Sequence, residues 1–252
     1  MNLARLAIAP VIAIAMLVAA PAHAVPALQL DIAGGTYDAT TETVFASSNT
    51  FSLYAYYTGT APTSTFYLSM ALVPPTSVAG NYGSFKINGS TVNVTGDMVY
   101  GTPPIETYLA FDPGDLSKHS IFPTYFAEQS FTFSGPNSGQ SGVYNTQDHA
   151  GWGPQAGTGM YYKKFDLDVS GLSAGEGIHF DFYNEALVTY CSKKSGVCSS
   201  TDVDVNQFAP FSHDAQGMVS SVPEPETYAM LLAGLGLMGF VARRRKTAAG
   251  LI

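Results

Sequence analysis

The sequence predicts an all-β protein: an antiparallel β-sandwich, jelly-roll-like or Ig-like, with one apolar helix at each end of the chain. Aromatic and β-branched residues dominate its middle, and Gly, Pro, Asn or Ser interrupts them every eight to twelve residues. Between the two ends, no segment keeps an apolar period of 3.6 residues over twelve positions. Short strands separated by regular turns are typical of a sandwich.

Five segments of this middle region are predicted strands, because turn residues bound each of them. They cover 50–57, 65–73, 161–169, 177–183 and 186–190. The segment 133–159 is rich in Gly, Ser, Asn and Gln, which predicts a long surface loop. The sequence has no clear internal repeat and no linker. Residues 25–220 are therefore expected to form one domain with a sizeable core.

The N-terminal end has the three parts of a secretory signal peptide. Arg5 gives a short basic region, an apolar run extends from Leu6 to Ala20, and the small residues Ala22 and Ala24 follow. Small side chains at those two positions suit the shallow pockets of signal peptidase. The pattern predicts a signal helix within 1–24, export through the Sec translocon and cleavage after Ala24. A retained membrane anchor is the alternative.

The C-terminal end begins with Pro223, Glu224 and Pro225 and continues as an apolar transmembrane helix predicted over 226–242. The run 228–242 has fifteen apolar residues, which span about 22 Å as a helix, against about 30 Å for a bilayer core. Starting the helix at Pro225 brings it to about 27 Å, so it only just crosses. A basic cluster follows at once and should stay cytoplasmic, which fixes the orientation: Arg243, Arg244, Arg245 and Lys246.

In this order and spacing, residues 221–246 resemble the PEP-CTERM sorting signal. The resemblance implies recognition by exosortase, an integral-membrane transpeptidase-like enzyme, and cleavage near residues 223–225. It also implies a transient stay in the inner membrane, then a place at the cell surface or in the extracellular matrix. Such sorting systems accompany exopolysaccharide production, so the implied setting is a biofilm or floc matrix. An ordinary C-terminal anchor is the alternative.

A second resemblance lies at the start of the exported region. The segment 28–38, together with 41–43, 51–54 and 179–181, is similar to β-rich exported modules called choice-of-anchor proteins. These share a surface module, while their C-terminal anchors differ between sorting systems. The resemblance implies an extracellular β domain of unassigned activity and supplies no catalytic residue.

Charge excludes one class of partner. Residues 25–220 hold six lysines, no arginine and seventeen acids, for a net charge of about −11. Nucleic-acid binding needs a cationic surface that displaces counterions from phosphates, so no nucleic-acid partner is expected. A soluble exported protein, or a binder of cations or neutral glycans, fits this surface.

The two cysteines, Cys191 and Cys198, are expected to face each other across a hairpin whose turn is 193–196. In an oxidising compartment this spacing predicts a disulfide. Because the closed loop is short, the bond should stabilise by only about 2 kcal/mol or somewhat more. A redox or zinc role would need a tighter pair or further ligands.

Two patterns in the sequence are candidates for catalysis. Gly171-Leu172-Ser173-Ala174-Gly175 matches the G-x-S-x-G of hydrolases, but a nucleophile elbow needs a following helix, and the residues after it predict a turn into a strand. The histidines of the domain are His119, His149, His179 and His213. They lack H-x-x-x-H spacing, and their adjacent aspartates point to opposite strand faces. They are expected on exposed loops, without a dedicated zinc site.

Two binding sites are candidates. Asp202, Asp204 and Asn206 place oxygen ligands at alternate positions, like the start of a calcium loop, although Gln207 replaces the usual glycine and His213 the bidentate glutamate. A solvated strand face is the alternative. Trp152 lies in a Gly-rich segment, where it would contact glycans or fold back onto the sandwich.

The sequence therefore predicts a non-enzymatic surface or matrix protein without a cofactor, calcium excepted. The alternative is a secreted carbohydrate-binding module, with or without calcium. A secreted hydrolase is the third choice.

Overall fold

The structure is a computed structural model of the chain. It describes residues 24–105, 115–116, 119–191 and 198–219, together with the single positions 235 and 238. Over 187–191 and 198–202 it describes the backbone alone. Most of the predicted signal helix, the Pro223–Pro225 motif, most of the transmembrane helix and the basic cluster 243–246 lie outside these residues.

Within the described part, the chain forms fourteen strands and one short 3-10 helix at Phe211–His213. In chain order the strands are β1 (Leu28–Ile32), β2 (Thr36–Asp38), β3 (Thr43–Phe45), β4 (Thr50–Thr58), β5 (Phe66–Val73), β6 (Ser84–Ile87), β7 (Ser90–Asn93), β8 (Val99–Gly101), β9 (Thr124–Phe131), β10 (Ser138–Gly142), β11 (Gly159–Asp168), β12 (Gly177–Cys191), β13 (Cys198–Phe208) and β14 (Asp214–Met218).

The strands form two sheets. The first has the order β1-β4-β11-β6-β7, and β10 also pairs with β11. The second has the order β2-β3-β14-β12-β5-β9-β8, and β13 also pairs with β12. The long strand β12 therefore meets β5 along one edge and, successively, β14 and β13 along the other. The predicted all-β class is confirmed.

One pair departs from the antiparallel prediction. Strand β3 runs parallel to β14, with Asp214 opposite Thr43 and Gln216 opposite Phe45. Parallel strands cannot be joined by a short hairpin, and the long stretch of chain between β3 and β14 meets that requirement. The second sheet is mixed, whereas every pair in the first sheet is antiparallel.

Alternation in the strands builds the core between the sheets. In β11 the side chains of Phe165 and Leu167 are buried, while Asp166 between them is exposed. Strand β5 carries a longer apolar run, Met70–Val73, as expected of a strand covered on both faces. Aromatic rings from both sheets pack in one cluster with centroids 5.1–6.1 Å apart, namely Phe66, Phe131, Phe133, Phe165 and Phe182. Such pairs contribute about 0.5–1.5 kcal/mol each beyond their area burial.

The predicted strands at 50–57, 65–73 and 161–169 are confirmed as β4, β5 and β11 within two residues at each end. The two predicted strands at 177–183 and 186–190 are one continuous strand, β12. Where β12 pairs with β13, a register shift between Asn184 and Glu185 leaves one extra residue, Asn206, on β13. The irregularity is therefore a bulge in the partner strand, and β12 continues through the polar pair.

The predicted loop 133–159 is wrong in part, because it contains strand β10. Its small residues let it lie flat on β11: a Cβ atom at Gly139 would stand 2.7 Å from the Tyr162 hydroxyl. The segment that follows is also buried at Tyr144, Asn145 and Thr146. Glycine and serine here permit close packing, and they do not mark a solvated loop.

A buried carboxylate holds this segment onto β1. Asp31 has no exposed surface, and its carboxylate accepts hydrogen bonds from Gly151 N at 2.7 Å, Gly153 N at 3.1 Å and the Tyr144 hydroxyl at 2.9 Å. Burial raises the pKa of this carboxyl, and the three donors partly oppose the rise. Next to it, Gln29 accepts from Thr146 N at 3.0 Å and donates to the Tyr144 carbonyl at 2.8 Å.

Of the predicted C-terminal helix, Leu235 and Met238 are described, and both are helical and exposed. Among the residues that the structure describes, no helix is both long and apolar enough to cross a membrane.

Candidate metal centre

Strand β12 places an imidazole and a carboxylate on one face of the second sheet. His179 and Asp181 are two residues apart, so their side chains point the same way. Strand β14 pairs antiparallel with this part of β12, and Phe180 lies opposite Ala215. Asp214 precedes Ala215 in β14 and extends this pairing by one residue. Its side chain therefore points to the same face of the sheet as those of His179 and Asp181. The three side chains are 1–4% exposed.

His119 joins these three side chains from a distant part of the chain, the connection between β8 and β9. Its Nε2 atom lies 3.1 Å from His179 Nε2, 3.1 Å from Asp181 Oδ1 and 3.5 Å from Asp214 Oδ2. His179 Nε2 lies 3.7 Å and 3.6 Å from the same two oxygens. One atom from each of the four residues therefore faces a common point, and all four atoms lie within 4.8 Å of one another. We call these four residues the His/Asp cluster.

The charges within the cluster depend on one another. Burial disfavours a charged imidazole at His179, but the carboxylates of Asp181 and Asp214 outweigh it and raise the His179 pKa to about 10. Burial also raises the pKa of Asp214, and repulsion from Asp181 adds to the rise. For Asp181, burial is outweighed by the two imidazoles, and its pKa is lowered. Two carboxyls this close do not ionise independently, so one of them carries the charge more readily.

Neighbouring side chains hold the imidazole rings in place. His179 Nδ1 lies 3.3 Å from the Gln216 amide oxygen, which directs Nε2 toward the cluster. The His119 ring stacks on Phe211 with centroids 4.1 Å apart, and Phe122 packs edge-on at 5.8 Å. A cavity of about 400 Å³ opens beside the two histidines and is also bounded by Thr43, Phe45 and Gln216.

The expectation that all four histidines lie on exposed loops is wrong. His179 and His213 are 2% and 4% exposed, the His119 side chain is 10% exposed, and only His149 is exposed as expected. The spacing that could have indicated the cluster is His179-Phe180-Asp181, because alternate residues of a strand share a face. Adjacent histidine–aspartate pairs, which do not share a strand face, do not indicate such a cluster.

Trp152, the candidate glycan contact, is 52% exposed. Its ring stacks on His149 with centroids 3.9 Å apart and lies 5.8 Å from the buried ring of Tyr144. The tryptophan is thus packed on one side and open to solvent on the other. The described ring contacts of Trp152 include no member of the His/Asp cluster.

The candidate calcium ligands Asp202, Asp204 and Asn206 all lie in β13 and alternate along it. A register shift in the β12–β13 pairing leaves Asn206 without a partner residue on β12, so the alternation along β13 is interrupted between Asp204 and Asn206. Asn206 is exposed, and the Asp202 side chain lies outside the described ones. Calcium binding here stays a prediction.

The remaining candidates are placed through the backbone. Cys191 lies opposite Cys198 where β12 pairs with β13, which is the facing that a disulfide needs; their side chains are not among those described, so the bond stays a prediction. The Ala24 carbonyl accepts a hydrogen bond from Asn145 Nδ2 at 2.9 Å. Ala22 and the sorting residues lie outside the described chain.

Ser173 lies in the turn between β11 and β12. Glu176 N donates to the Ser173 carbonyl at 3.1 Å, and Gly175 has a φ of +88°. Strand β12 then follows directly, so the serine precedes a strand where a nucleophile elbow needs a helix. The predicted turn is confirmed.

Comparison with known proteins gives one match and one negative result. Residues 221–246 match the family model described as the PEP-CTERM protein-sorting motif. No curated protein matches the chain. The match covers all three parts of the tail, from the Pro-Glu-Pro motif through the apolar run to the basic residues. The chain therefore carries a PEP-CTERM protein-sorting motif at its C-terminal end.

Proposed function

We propose that this chain is an exported protein of the cell surface or extracellular matrix, sorted by exosortase and without enzymatic activity of its own. The observation that carries the proposal is the match of residues 221–246 to the PEP-CTERM protein-sorting motif. The exported part is the sandwich formed by 25–220. Its setting is exopolysaccharide or biofilm, because sorting systems of this kind accompany exopolysaccharide production.

The tail works by holding the substrate and presenting it. The helix over 226–242 keeps the chain in the inner membrane, and the basic cluster 243–246 keeps its end in the cytoplasm. Proline disfavours helix at the residue before it, so an extended conformation that exosortase can reach is expected of Val222 and Glu224. The helix is barely long enough to span and contains Gly234, Gly236 and Gly239, which suits a temporary hold.

Intact-mass analysis of the protein from strains with and without exosortase tests the processing. We expect the wild-type strain to yield a species that begins at Val25 and lacks 228–246, and the deletion strain to yield one that retains them. A matched variant, Glu224→Gln, changes the motif without changing the helix or the basic cluster. A wild-type species that still carries 228–246 would contradict the proposal.

A second candidate function is carbohydrate binding, and the exposure of Trp152 favours it. A half-exposed ring stacked on His149 offers a flat apolar face of the kind that sugars pack against. The negative charge of the domain does not oppose a neutral glycan. Calcium at Asp202, Asp204 and Asn206 would be an addition to this function.

Glycan-array binding of wild type, Trp152→Ala and Tyr100→Ala tests this candidate. Tyr100 is 48% exposed in β8 and serves as a matched exposed aromatic. Binding that Trp152→Ala abolishes and Tyr100→Ala retains supports the carbohydrate-binding function. Equal binding by all three proteins contradicts a role for Trp152. Repeating the assay with calcium chelated shows whether glycan binding depends on calcium.

A further inference from the structure

We propose that His119, His179, Asp181 and Asp214 bind one Zn²⁺ ion as a closed four-ligand site. The site is independent of the sorting tail and of Trp152. It joins the β8–β9 connection to strands β12 and β14, which are far from it in sequence. Its role is structural, because four protein ligands leave no position for a substrate on a tetrahedral ion.

The first support is the spacing of the ligand atoms. In a tetrahedral zinc site with bonds of about 2.0–2.1 Å, neighbouring ligand atoms lie about 3.3–3.4 Å apart. Five of the six distances among the four atoms range from 3.1 to 3.7 Å. A square-planar set would need two opposite pairs about 4 Å apart, and only the Asp181–Asp214 pair is left to supply one. Five of the six distances therefore fit a tetrahedral set, and they exclude a square-planar one.

The second support is the state of the carboxylates. Both oxygens of Asp181 and both of Asp214 are buried and accept no hydrogen bond of acceptable geometry, although imidazole nitrogens lie 3.1–3.7 Å from one oxygen of each. Buried charges in proteins are paired, hydrogen-bonded or bound to a metal. A cation between the four atoms would satisfy Asp181 Oδ1 and Asp214 Oδ2 at once.

The third support is the orientation of His179. Its Nδ1 atom faces the Gln216 amide oxygen at 3.3 Å, and an amide oxygen can only accept. When the ring is neutral, as zinc binding requires, its proton is on Nδ1 and the Nε2 lone pair points into the cluster. Metal-binding histidines are held in this way by an acceptor behind the ring.

The donor set selects the metal. Two imidazole nitrogens with two carboxylate oxygens suit Zn²⁺. Calcium takes about six to eight oxygen ligands, and magnesium about six in octahedral geometry, so neither fits a cluster that is half nitrogen. Copper(II) favours the tetragonal geometry that the distances exclude.

The test uses the full chain, purified in detergent without chelator and without a polyhistidine tag, then stripped and titrated with Zn²⁺ alone. We expect one equivalent to bind to the wild type. His119→Asn, which lies outside the strands and is least able to disturb the fold, should weaken binding at least ~100-fold. Asp214→Asn should do the same. His149→Asn and Asp166→Asn change an exposed residue of each type and should leave binding unchanged.

Two further measurements report whether each variant folds and what geometry the bound ion has. Circular dichroism and cooperative unfolding establish that each variant folds, and Co²⁺ substitution reports the geometry. Strong visible bands, as tetrahedral Co²⁺ gives, support the site; the weak bands of octahedral Co²⁺ overturn it. A wild type without stoichiometric Zn²⁺ binding overturns the proposal, and so does binding that persists in folded His119→Asn and Asp214→Asn, because the ion is then elsewhere.

Discussion

The Nε2 atoms of His119 and His179 lie 3.1 Å apart, although 60 residues of chain separate the two rings. Facing nitrogens at this distance share at most one proton, and both also face the carboxylates of Asp181 and Asp214. Without a cation the cluster brings four largely buried polar groups together. With one, the same contacts become ligand–ligand distances, and the protein gains stability by mass action on the folded state.

The contact between His179 and Gln216 leads to the first prediction. Gln216→Leu keeps the size of the side chain and removes the acceptor behind the ring, so the tautomer that directs Nε2 inward is no longer favoured. Loss of such a partner lowers metal affinity about 10–100-fold. Competition titration with a chromophoric zinc chelator measures the change.

Gln140→Leu provides the control, because this exposed glutamine of β10 undergoes the same chemical change away from the cluster. Gln216→Glu restores an acceptor and should recover most of the affinity. Equal zinc affinity in Gln216→Leu and wild type would remove Gln216 from the site.

The carboxylate of Asp31 leads to the second prediction, on stability. Asp31→Ala leaves the N–H groups of Gly151 and Gly153 and the Tyr144 hydroxyl without their acceptor. Unsatisfied buried donors and the lost charge-assisted bonds together should lower the free energy of unfolding by about 3 kcal/mol or more. Urea denaturation measures it.

Asp166→Ala is the matched control. Asp166 is 57% exposed and pairs with Lys164 at 2.8 Å, and a surface pair of this kind contributes only about 0–1 kcal/mol. Limited proteolysis should also cut Asp31→Ala within 143–155 sooner than Asp166→Ala. If both variants unfold at the same urea concentration, Asp31 does not anchor the segment.

Two glycines that both have a positive φ, Gly83 and Gly89, lead to the third prediction. Gly83 and Gly89 have φ of +87° and +83°, so alanine at either position carries a similar conformational cost of about 1–2 kcal/mol. At Gly83 a Cβ atom would also stand 2.2 Å from the Gly171 carbonyl oxygen, whereas at Gly89 it meets nothing within 4 Å. The clash adds about 1–3 kcal/mol.

Gly83→Ala should therefore be clearly less stable than Gly89→Ala in chemical denaturation, and the difference isolates the clash between the 83–84 segment and the turn at 171. The backbone bond from Ser84 N to Gly171 O, at 2.9 Å, is the contact at risk. Equal losses in the two variants would mean that the chain moves aside at no cost.

The sequence allows the all-β class and part of this sandwich to be predicted, because strands β4, β5 and β11 combine suitable residues with turns at both ends. Strand β10 could not be predicted, since it lacks an apolar pattern and forms by pairing with β11. Its small residues matter because the side chain of Tyr162 packs against them. Such tertiary packing overrides local propensity.

The sequence likewise indicates only some of the residues in the His/Asp cluster. The pair His179 and Asp181 is visible in the sequence once β12 is known to be a strand, because residues two apart share a face. His119 is not visible, since its place depends on how the β8–β9 connection crosses the sheet. Asp214 becomes a neighbour only through the pairing of β14 with β12.

The last prediction concerns pH and two carboxyls outside the His/Asp cluster, Glu185 on β12 and Glu128 on β9. Burial, together with the charge of Glu128, raises the pKa of Glu185 to about 7, and the Tyr67 hydroxyl partly opposes this. Glu128 is itself buried, its pKa is raised, and it accepts a hydrogen bond from the Tyr183 hydroxyl.

A raised carboxyl pKa means that the folded protein holds a proton that the unfolded chain releases at about pH 4.5. The stability from protonated Glu185 is therefore fully present below that pH and is lost as the pH rises to about 7 and beyond. Glu185→Gln stays neutral throughout, so between about pH 5 and pH 7.5 its melting temperature should fall less than that of the wild type. Asp97→Asn is the control, because hydrogen bonds from Asn93 lower the pKa of Asp97 and place its titration below this window. If the melting temperatures of wild type and Glu185→Gln fall equally between about pH 5 and pH 7.5, Glu185 is already ionised in the folded protein across this range.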